Sequence, residues 1–260
     1  MRILYPSNYG DIKSVESMYA EEAGYMIANN GSSIVTFSME EFEQGKFKKY
    51  GVIEKEDVLY RGWMFTPKEY RQLYKDIKLC GANLLITPEQ YELCHYLPNW
   101  YSLIKEFTAE TIILSFDSNH DYDLDTTMSR LGWKKYFVKD YVKSVGEKSI
   151  AESVDDVAKI RDLIFKSRGK IEGGLCIRKF EEYVKKSEKR HFVFNGVVHS
   201  PDGATPDVVT ECAKRIKSPF FSVDVAKRKD GVMRVIEIGD GQVSDLKSWN
   251  AKDFVNIFKV

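Results

Sequence analysis

The stretch Phe220-Phe221-Ser222-Val223-Asp224-Val225-Ala226, the turn Lys229-Asp230-Gly231, and the return Val232-Met233-Arg234-Val235-Ile236-Glu237-Ile238-Gly239-Asp240-Gly241 read together as a β-hairpin. Asp224 and Glu237 each stand inside apolar flanks. Side chains alternate along a strand, so Asp224 faces away from Val223 and Val225. The fold-back can bring Asp224 toward Glu237. A carboxylate among apolar strand residues needs cationic company. Hard oxygen ligands that leave room for phosphate describe a Mg²⁺ site. The competing reading is a solvated strand face with its acids paired to lysine.

Working outward, two cationic stretches precede the hairpin. In Phe137-Val138-Lys139-Asp140-Tyr141-Val142-Lys143-Ser144, an extended strand over 133–142 would put positions 139, 141 and 143 on one face, where lysines can reach phosphates as point charges. Solvated lysines on an amphipathic strand are the alternative. Val145-Gly146-Glu147-Lys148 could cover a phosphate, although it lacks the glycine density of a P-loop. The second stretch is Gly173-Gly174-Leu175-Cys176-Ile177-Arg178-Lys179-Phe180-Glu181, followed by Glu188-Lys189-Arg190-His191-Phe192-Val193-Phe194. Arginines within apolar strands call for a bound anion or an ion-pair partner, and Glu181 and Glu188 could supply the latter.

The rest of the chain sets these stretches in an α/β plus α+β frame. Over the first ~110 residues strand patterns (2–5, 33–37, 57–60, 83–86) alternate with helical ones (12–28, 67–79, and one capped by Thr87-Pro88-Glu89), as in an open α/β sheet. No G-x-G-x-x-G follows the first strand, which argues against a dinucleotide site there. From about residue 111 the texture is α+β: strands at 111–116, 175–180, 191–198, 220–226 and 232–238, and helices at 153–165 and 206–217. Arg61-Gly62-Trp63-Met64 follows a strand, and strand ends of α/β sheets are where ligands bind, so Arg61 is either an acceptor-substrate residue or a structural one.

With 260 residues the chain can bury a substantial core. Lys plus Arg equals Asp plus Glu at 39 each, which argues against bulk attraction to nucleic acid or membrane without excluding a local basic cleft. The four cysteines form no C-x-x-C pair and read as buried free thiols in a reducing compartment. The four histidines do not cluster; His95, at the end of a helical pattern, reads as a packed residue. The first residues read as a strand rather than a leader peptide, and no apolar run approaches the ~18 residues of a membrane span. A cytoplasmic protein is expected.

The order lysine strand, helix, arginine strand, second arginine strand, acid–turn–acid hairpin resembles an ATP-grasp domain, in particular the divergent clade marked by two arginines and one lysine. The resemblance is carried by Arg61-Gly62-Trp63-Met64, Pro88-Glu89-Gln90-Tyr91 through Tyr96-Leu97-Pro98, residues 137–144, Ile177-Arg178-Lys179-Phe180 and residues 237–244, so it spans nearly the whole chain. It implies an N-terminal Rossmann-like pre-ATP-grasp domain (1–110) and a two-lobed ATP-grasp domain (111–260, lobes about 111–175 and 176–260). It implies ATP and Mg²⁺ as cofactors. Lys139, Arg178 and Arg190 would be catalytic and, with Lys143, Lys179 and Glu181, nucleotide-binding; Asp224, Glu237 and Asp240 would face the metal. The family commonly has asparagine two residues after the second acid; here that residue is Gly239, and Asp240 is expected to substitute. The implied activity is an ATP-dependent ligase that activates a carboxylate as an acyl phosphate for attack by an amine, on a small molecule, peptide or protein. A non-catalytic ATP-binding module or assembly chaperone, and a ligase acting on nucleic acid ends, are the alternatives.

Overall fold

The structure, a computed structural model, describes residues 2–31, 33–53, 55–115 and 124–259. In chain order its elements are β1 (Arg2–Asn8), β2 (Asp11–Val15), α1 (Ala20–Asn30), β3 (Ser33–Phe37), α2 (Met39–Glu43), β4 (Lys49–Tyr50), β5 (Asp57–Tyr60), α3 (Pro67–Leu79), β6 (Asn83–Leu84), α4 (Pro88–His95), α5 (Leu97–Ile104), β7 (Thr111–Ser115), α6 (Leu124–Leu131), β8 (Tyr136–Asp140), β9 (Ile150–Ala151), α7 (Val154–Arg168), β10 (Gly174–Lys179), β11 (Lys189–Phe194), β12 (Val197–His199), α8 (Asp207–Arg215), β13 (Phe220–Lys227), β14 (Met233–Asp240) and α9 (Ala251–Asn256). These form a mixed α/β architecture with three sheets, ordered β4-β3-β1-β5-β6 with β2 beside β1, β7-β10-β8-β9, and β12-β11-β13-β14. Two compact units result, neither contiguous in sequence: Met1–Cys94 with Lys189–Val223 and Gly239–Val260, and His95–Glu188 with Asp224–Ile238.

The first unit is built on β1, which pairs in parallel with β3 and β5, as the alternating pattern requires. Its core runs from Ile3, Val35 and Leu59 through Tyr70 and Tyr91 to Phe192, Phe220 and Phe254. Pro67 opens α3 as expected, with a capping box between Thr66 and Glu69, and Thr87 caps α4 through Gln90. The helix expected over 12–28 is shorter. Gly10, in the left-handed region, turns the chain back so that residues 11–15 pair with β1 as β2, and α1 begins only at Ala20. The expected strand 191–198 is a hairpin: Asn195 and Gly196 both have positive φ, the geometry of an Asn-Gly turn, and separate β11 from β12.

The second unit is built on β10, which pairs antiparallel with both β7 and β8. Gly174 opens that strand where a Cβ would strike the carbonyl of Leu114. Ser153 caps α7, as its place before Asp155 and Asp156 predicts. One face of this sheet, with Leu114, Val138, Leu175 and Ile177, packs on Val157, Ile160 and Ile164 of α7. The strand expected over 133–142 covers only Tyr136–Asp140. The Asp140 carboxylate ends it by accepting from the N–H groups of Val142 (2.8 Å) and Lys143 (2.6 Å) and from Arg168. Lys143 therefore does not share a strand face with Lys139. Phe116, the expected end of the strand at 111–116, lies outside the described residues.

Candidate functional site

Register decides what the sheet face turned away from α7 carries. Cys176 stands opposite Lys139, and Arg178 opposite Phe137. Directly opposed residues share a face and alternate with their chain neighbours. Lys139 and Arg178 therefore point away from α7, on the same side as Phe137 and Cys176. Both cations are buried, at 5% and 6% exposed. Lys139 Nζ donates to Glu237 Oε1 at 2.6 Å, which joins a strand-borne lysine to the second acid of the hairpin. Glu237 remains 34% exposed at its side chain. Asp224 is 2% exposed, so the solvated-face reading fails for that acid.

Among the described residues Arg178 has only neutral hydrogen-bond partners. Nη1 donates to the Ile236 carbonyl (2.9 Å), Nη2 to Thr108 Oγ1 (2.6 Å), and Nε has no partner among the described residues. Burial lowers its pKa, opposed by the charges of Tyr183, Glu237 and Glu181. Beside it lies a cavity of about 390 Å³, with Phe137, Ile150, Phe180, Ala226 and Ile236 as apolar walls and Lys179 among the charged residues lining it. A cavity of that size with apolar walls and a rim of charged residues has the makings of a small-molecule site. Glu181 also lines the cavity, but its carboxylate is occupied by Tyr183 Oη (2.6 Å), Arg234 Nε (3.2 Å) and Arg228 Nη1 (3.1 Å). Burial would raise its pKa; those bonds and the two arginine charges bring it below the usual value. An ion pair with Glu181 or Glu188 was the alternative to a bound anion for Arg178; in the structure Glu181 takes Arg228 and Arg234.

The remaining candidates belong to the first unit. Arg190 is 8% exposed and reaches the main-chain carbonyl and carboxylate of Asp245. Asp240 is fully buried; its Oδ1 accepts from the N–H (3.0 Å) and Nε2 (3.1 Å) of Gln242, while Oδ2 has no hydrogen-bond partner among the described residues. Burial pushes its pKa up to about 7. Gly239 explains why no asparagine precedes it. A Cβ at 239 would come within 2.8 Å of Ser222 Oγ and 3.1 Å of Ser244 Oγ, two hydroxyls that bond each other at 2.8 Å.

Arg61, read as either an acceptor-substrate residue or a structural one, is enclosed. It is 1% exposed, and its guanidinium is directed inward. Nε and Nη2 donate to Glu22 at 2.9 and 2.7 Å, Nη1 reaches the carbonyls of Gly241, Gln242 and Ser244, and the group lies 4.6 Å from the Phe254 ring centroid. The structural alternative describes it; a side chain this enclosed is not presented to an acceptor. Thr108 and Arg234, which hold Arg178 and Glu181, were missed by sequence reasoning. Neither sits in a recognisable motif, and only the contact between residues ~130 positions apart reveals them.

Among the described residues no group of three or more His, Cys, Asp and Glu could hold a metal by itself, and no helix is long and apolar enough to cross a membrane. All four cysteines are free.

Solved structures share this fold. D-alanine–D-alanine ligase from Bacillus anthracis complexed with ATP superposes with a TM-score of 0.61 at 16% identity, covering 99% of this chain and 95% of the other. The macrocyclase MdnC from Microcystis aeruginosa, bound with precursor peptide MdnA, gives 0.60 at 11% identity with 99% of each chain covered. The ATP-grasp ligase PsnB, complexed with minimal precursor, Mg and ADP, gives 0.60 at 11%, covering 98% and 96%. A search of curated protein sequences finds no match. The profile for the ATP-grasp domain, R2K clade family 3, matches residues 125–257, about half of the chain, a span that includes Lys139, Arg178, Arg190, Asp224, Glu237 and Asp240 but not Arg61; the protein belongs to that family.

Proposed function

We propose that this chain is an ATP- and Mg²⁺-dependent ligase that activates a carboxylate for attack by an amine, with a peptide or protein as acceptor. The observation that carries this reading is the pair of buried cations, Lys139 and Arg178, on one sheet face beside an apolar cavity, with the hairpin acid Glu237 in contact with Lys139. Residues 1–110 would be the pre-ATP-grasp domain and 111–260 the ATP-grasp domain. The chain's free thiols suit a reducing, cytoplasmic setting.

The residues fit the cofactors. Arg178 has a buried Nε–H without a partner and no carboxylate among its hydrogen-bond acceptors, the state of a cation made for an anion. Asp224, Glu237 and Asp240 offer hard oxygens, and Asp240 Oδ2 has no hydrogen-bond partner. One or two carboxylates suffice for Mg²⁺, which keeps water and takes phosphate oxygens. ATP with Mg²⁺ supplies the phosphoryl group and the charge neutralisation that its transfer needs.

In this reading Lys139 and Arg178 balance phosphate charge, and Arg190 adds a third cation. Lys143, exposed on the turn after β8, would reach the same phosphates only from the rim, and Lys179 would line the entrance. The apolar walls exclude water from the base, and Glu181 keeps the segment after β10 attached to the hairpin. The peptide acceptor is favoured by the two similar structures solved with precursor peptides.

Two measurements test the proposal. ATP with Mg²⁺ at about 100 times Kd should stabilise the fold by about 2.7 kcal/mol; no shift with ATP or ADP would count against it. ADP release that depends on both an acid and an amine distinguishes a ligase from a non-catalytic nucleotide-binding module. AMP as product would point to adenylyl transfer instead.

A further inference from the structure

Nothing on β10 itself holds the Arg178 guanidinium. Its two terminal nitrogens are held from elsewhere: Nη1 by the Ile236 carbonyl and Nη2 by the hydroxyl of Thr108. Thr108 is 1% exposed, and its hydroxyl donates to the Val235 carbonyl at 2.7 Å. A hydroxyl has one proton. With that proton on Val235, the oxygen is left to accept from Arg178, so the direction of the relay is fixed. Val235 and Ile236 are consecutive residues of β14, and the next residue is Glu237. Thr108 thus ties Arg178 to the peptide units that carry the hairpin acid.

Thr108 is held in turn. It makes a parallel bridge to Val235. Its carbonyl accepts from Arg234 Nη2, while Arg234 Nη1 reaches the Glu106 carbonyl at 2.7 Å and Arg234 Nε reaches Glu181 at 3.2 Å. The division of labour between the two arginines is plain. Arg234 has a carboxylate partner; Arg178 has only neutral ones and keeps Nε–H uncommitted.

We propose that Thr108, backed by Arg234, is a positioning residue for nucleotide binding: it holds Arg178 against the cavity in fixed spacing to Glu237 while leaving the guanidinium charge uncancelled for an anionic group of the ligand. The inference rests on the nucleotide reading above and adds to it two residues with no contact to the ligand. Valine at 108 keeps the shape but strands the Arg178 N–H and the Val235 carbonyl.

The test is a double-mutant cycle on the full chain, with ATP·Mg²⁺ affinity measured by calorimetry. Thr108→Val should weaken binding by about tenfold, equivalent to ~1.4 kcal/mol. Thr108→Ser, which keeps the hydroxyl, should stay within about twofold of wild type. In an Arg178→Lys background Thr108→Val should add less than about twofold, because the group it positions is gone. Wild-type affinity in Thr108→Val, a loss not rescued by serine, or losses that multiply in the double variant would each overturn the proposal. If Thr108→Val does not fold, Arg234→Lys serves in its place: it keeps a charge near Glu181 but cannot reach both carbonyls, and wild-type affinity there would likewise overturn the assignment. A wild-type chain that binds no nucleotide would remove the ligase reading itself, a result distinct from any of these.

Discussion

Lys139 and Glu237 make a 2.6 Å ion pair in which the lysine is 6% exposed and the acid 34%. Such a pair has two consequences when one partner is removed. Lys139→Met deletes the cation proposed to face phosphate and should weaken ATP·Mg²⁺ binding by an order of magnitude or more, at about 1.4 kcal/mol per tenfold. Glu237→Gln removes the charge that faces the lysine and is proposed to face the metal; dependence of ATP binding on Mg²⁺ should vanish in titrations with and without chelator, and a persisting wild-type dependence would sink the metal assignment. Arg61 behaves otherwise. Its partner Glu22 is 3% exposed and also accepts from Tyr5 Oη at 2.7 Å. Arg61→Met leaves that carboxylate buried and uncompensated and should destabilise the fold by about 3–5 kcal/mol. Chemical denaturation reads the loss, and Glu22→Gln should cost a comparable amount. Its effect should fall on stability, with nucleotide affinity of the folded fraction within about twofold of wild type; a selective loss of substrate use in a stable variant would return Arg61 to the acceptor site.

At the scale of elements, β13 and β14 carry the acids, and their packing explains the departure from the family pattern. Ser222 and Ser244 bond each other where the side chain of residue 239 would lie. Gly239→Asn, which restores the residue the family usually has, should therefore destabilise by about 1–3 kcal/mol through overpacking. Adding Ser222→Ala should recover part of that loss, and a thermal melt of the single and double variants checks it. If Gly239→Asn is neutral, the hydroxyl pair is not what excludes asparagine. The short strand β8 makes a related point. Asp140 ends the strand by binding the backbone of its own turn, so Lys139 remains inside the sheet while Lys143 lies beyond it. A lysine four residues on is a different kind of group, exposed beyond the end of the strand.

For the whole molecule, acid–base behaviour gives a reading that no single element provides. Burial raises the Asp240 carboxyl to about 7 from the ordinary Asp value of 3.8. Between those values the folded chain holds a proton that the unfolded chain has released. Stability from this group is therefore full below about pH 4 and falls as pH rises toward 7, at up to ~1.4 kcal/mol per pH unit. Asp240→Asn should flatten that fall, seen as a smaller loss of melting temperature between pH 4.5 and 7 than in wild type. Mg²⁺ with nucleotide should act in the same direction on wild type if Asp240 is a ligand, because a cation favours the ionised carboxylate. A wild-type profile that rises through this window after subtraction of the variant's profile would contradict the assignment.

Much of this was legible in the chain itself. The apolar hairpin with its two acids, the strands bearing Lys139 and Arg178 and the caps at Ser153 and Thr87 follow from local periodicity and turn chemistry, which act over a few neighbours; the ATP-grasp family came from the resemblance of its motifs. Short-range patterns also misled where a polar side chain or a glycine changed the local choice. Gly10 made a strand of the start of an expected helix, Asn195-Gly196 broke a strand in two, and Asp140 ended one early. What only the tertiary structure decided is which partners the charges take. Arg61 turned inward to Glu22, Glu181 was taken by Arg228 and Arg234, and Arg178 was given to Thr108 and Ile236. Those contacts join residues 39 to 70 positions apart. A buried charge is stabilised by whatever the fold brings within ~3 Å of it, and sequence spacing carries no record of that distance.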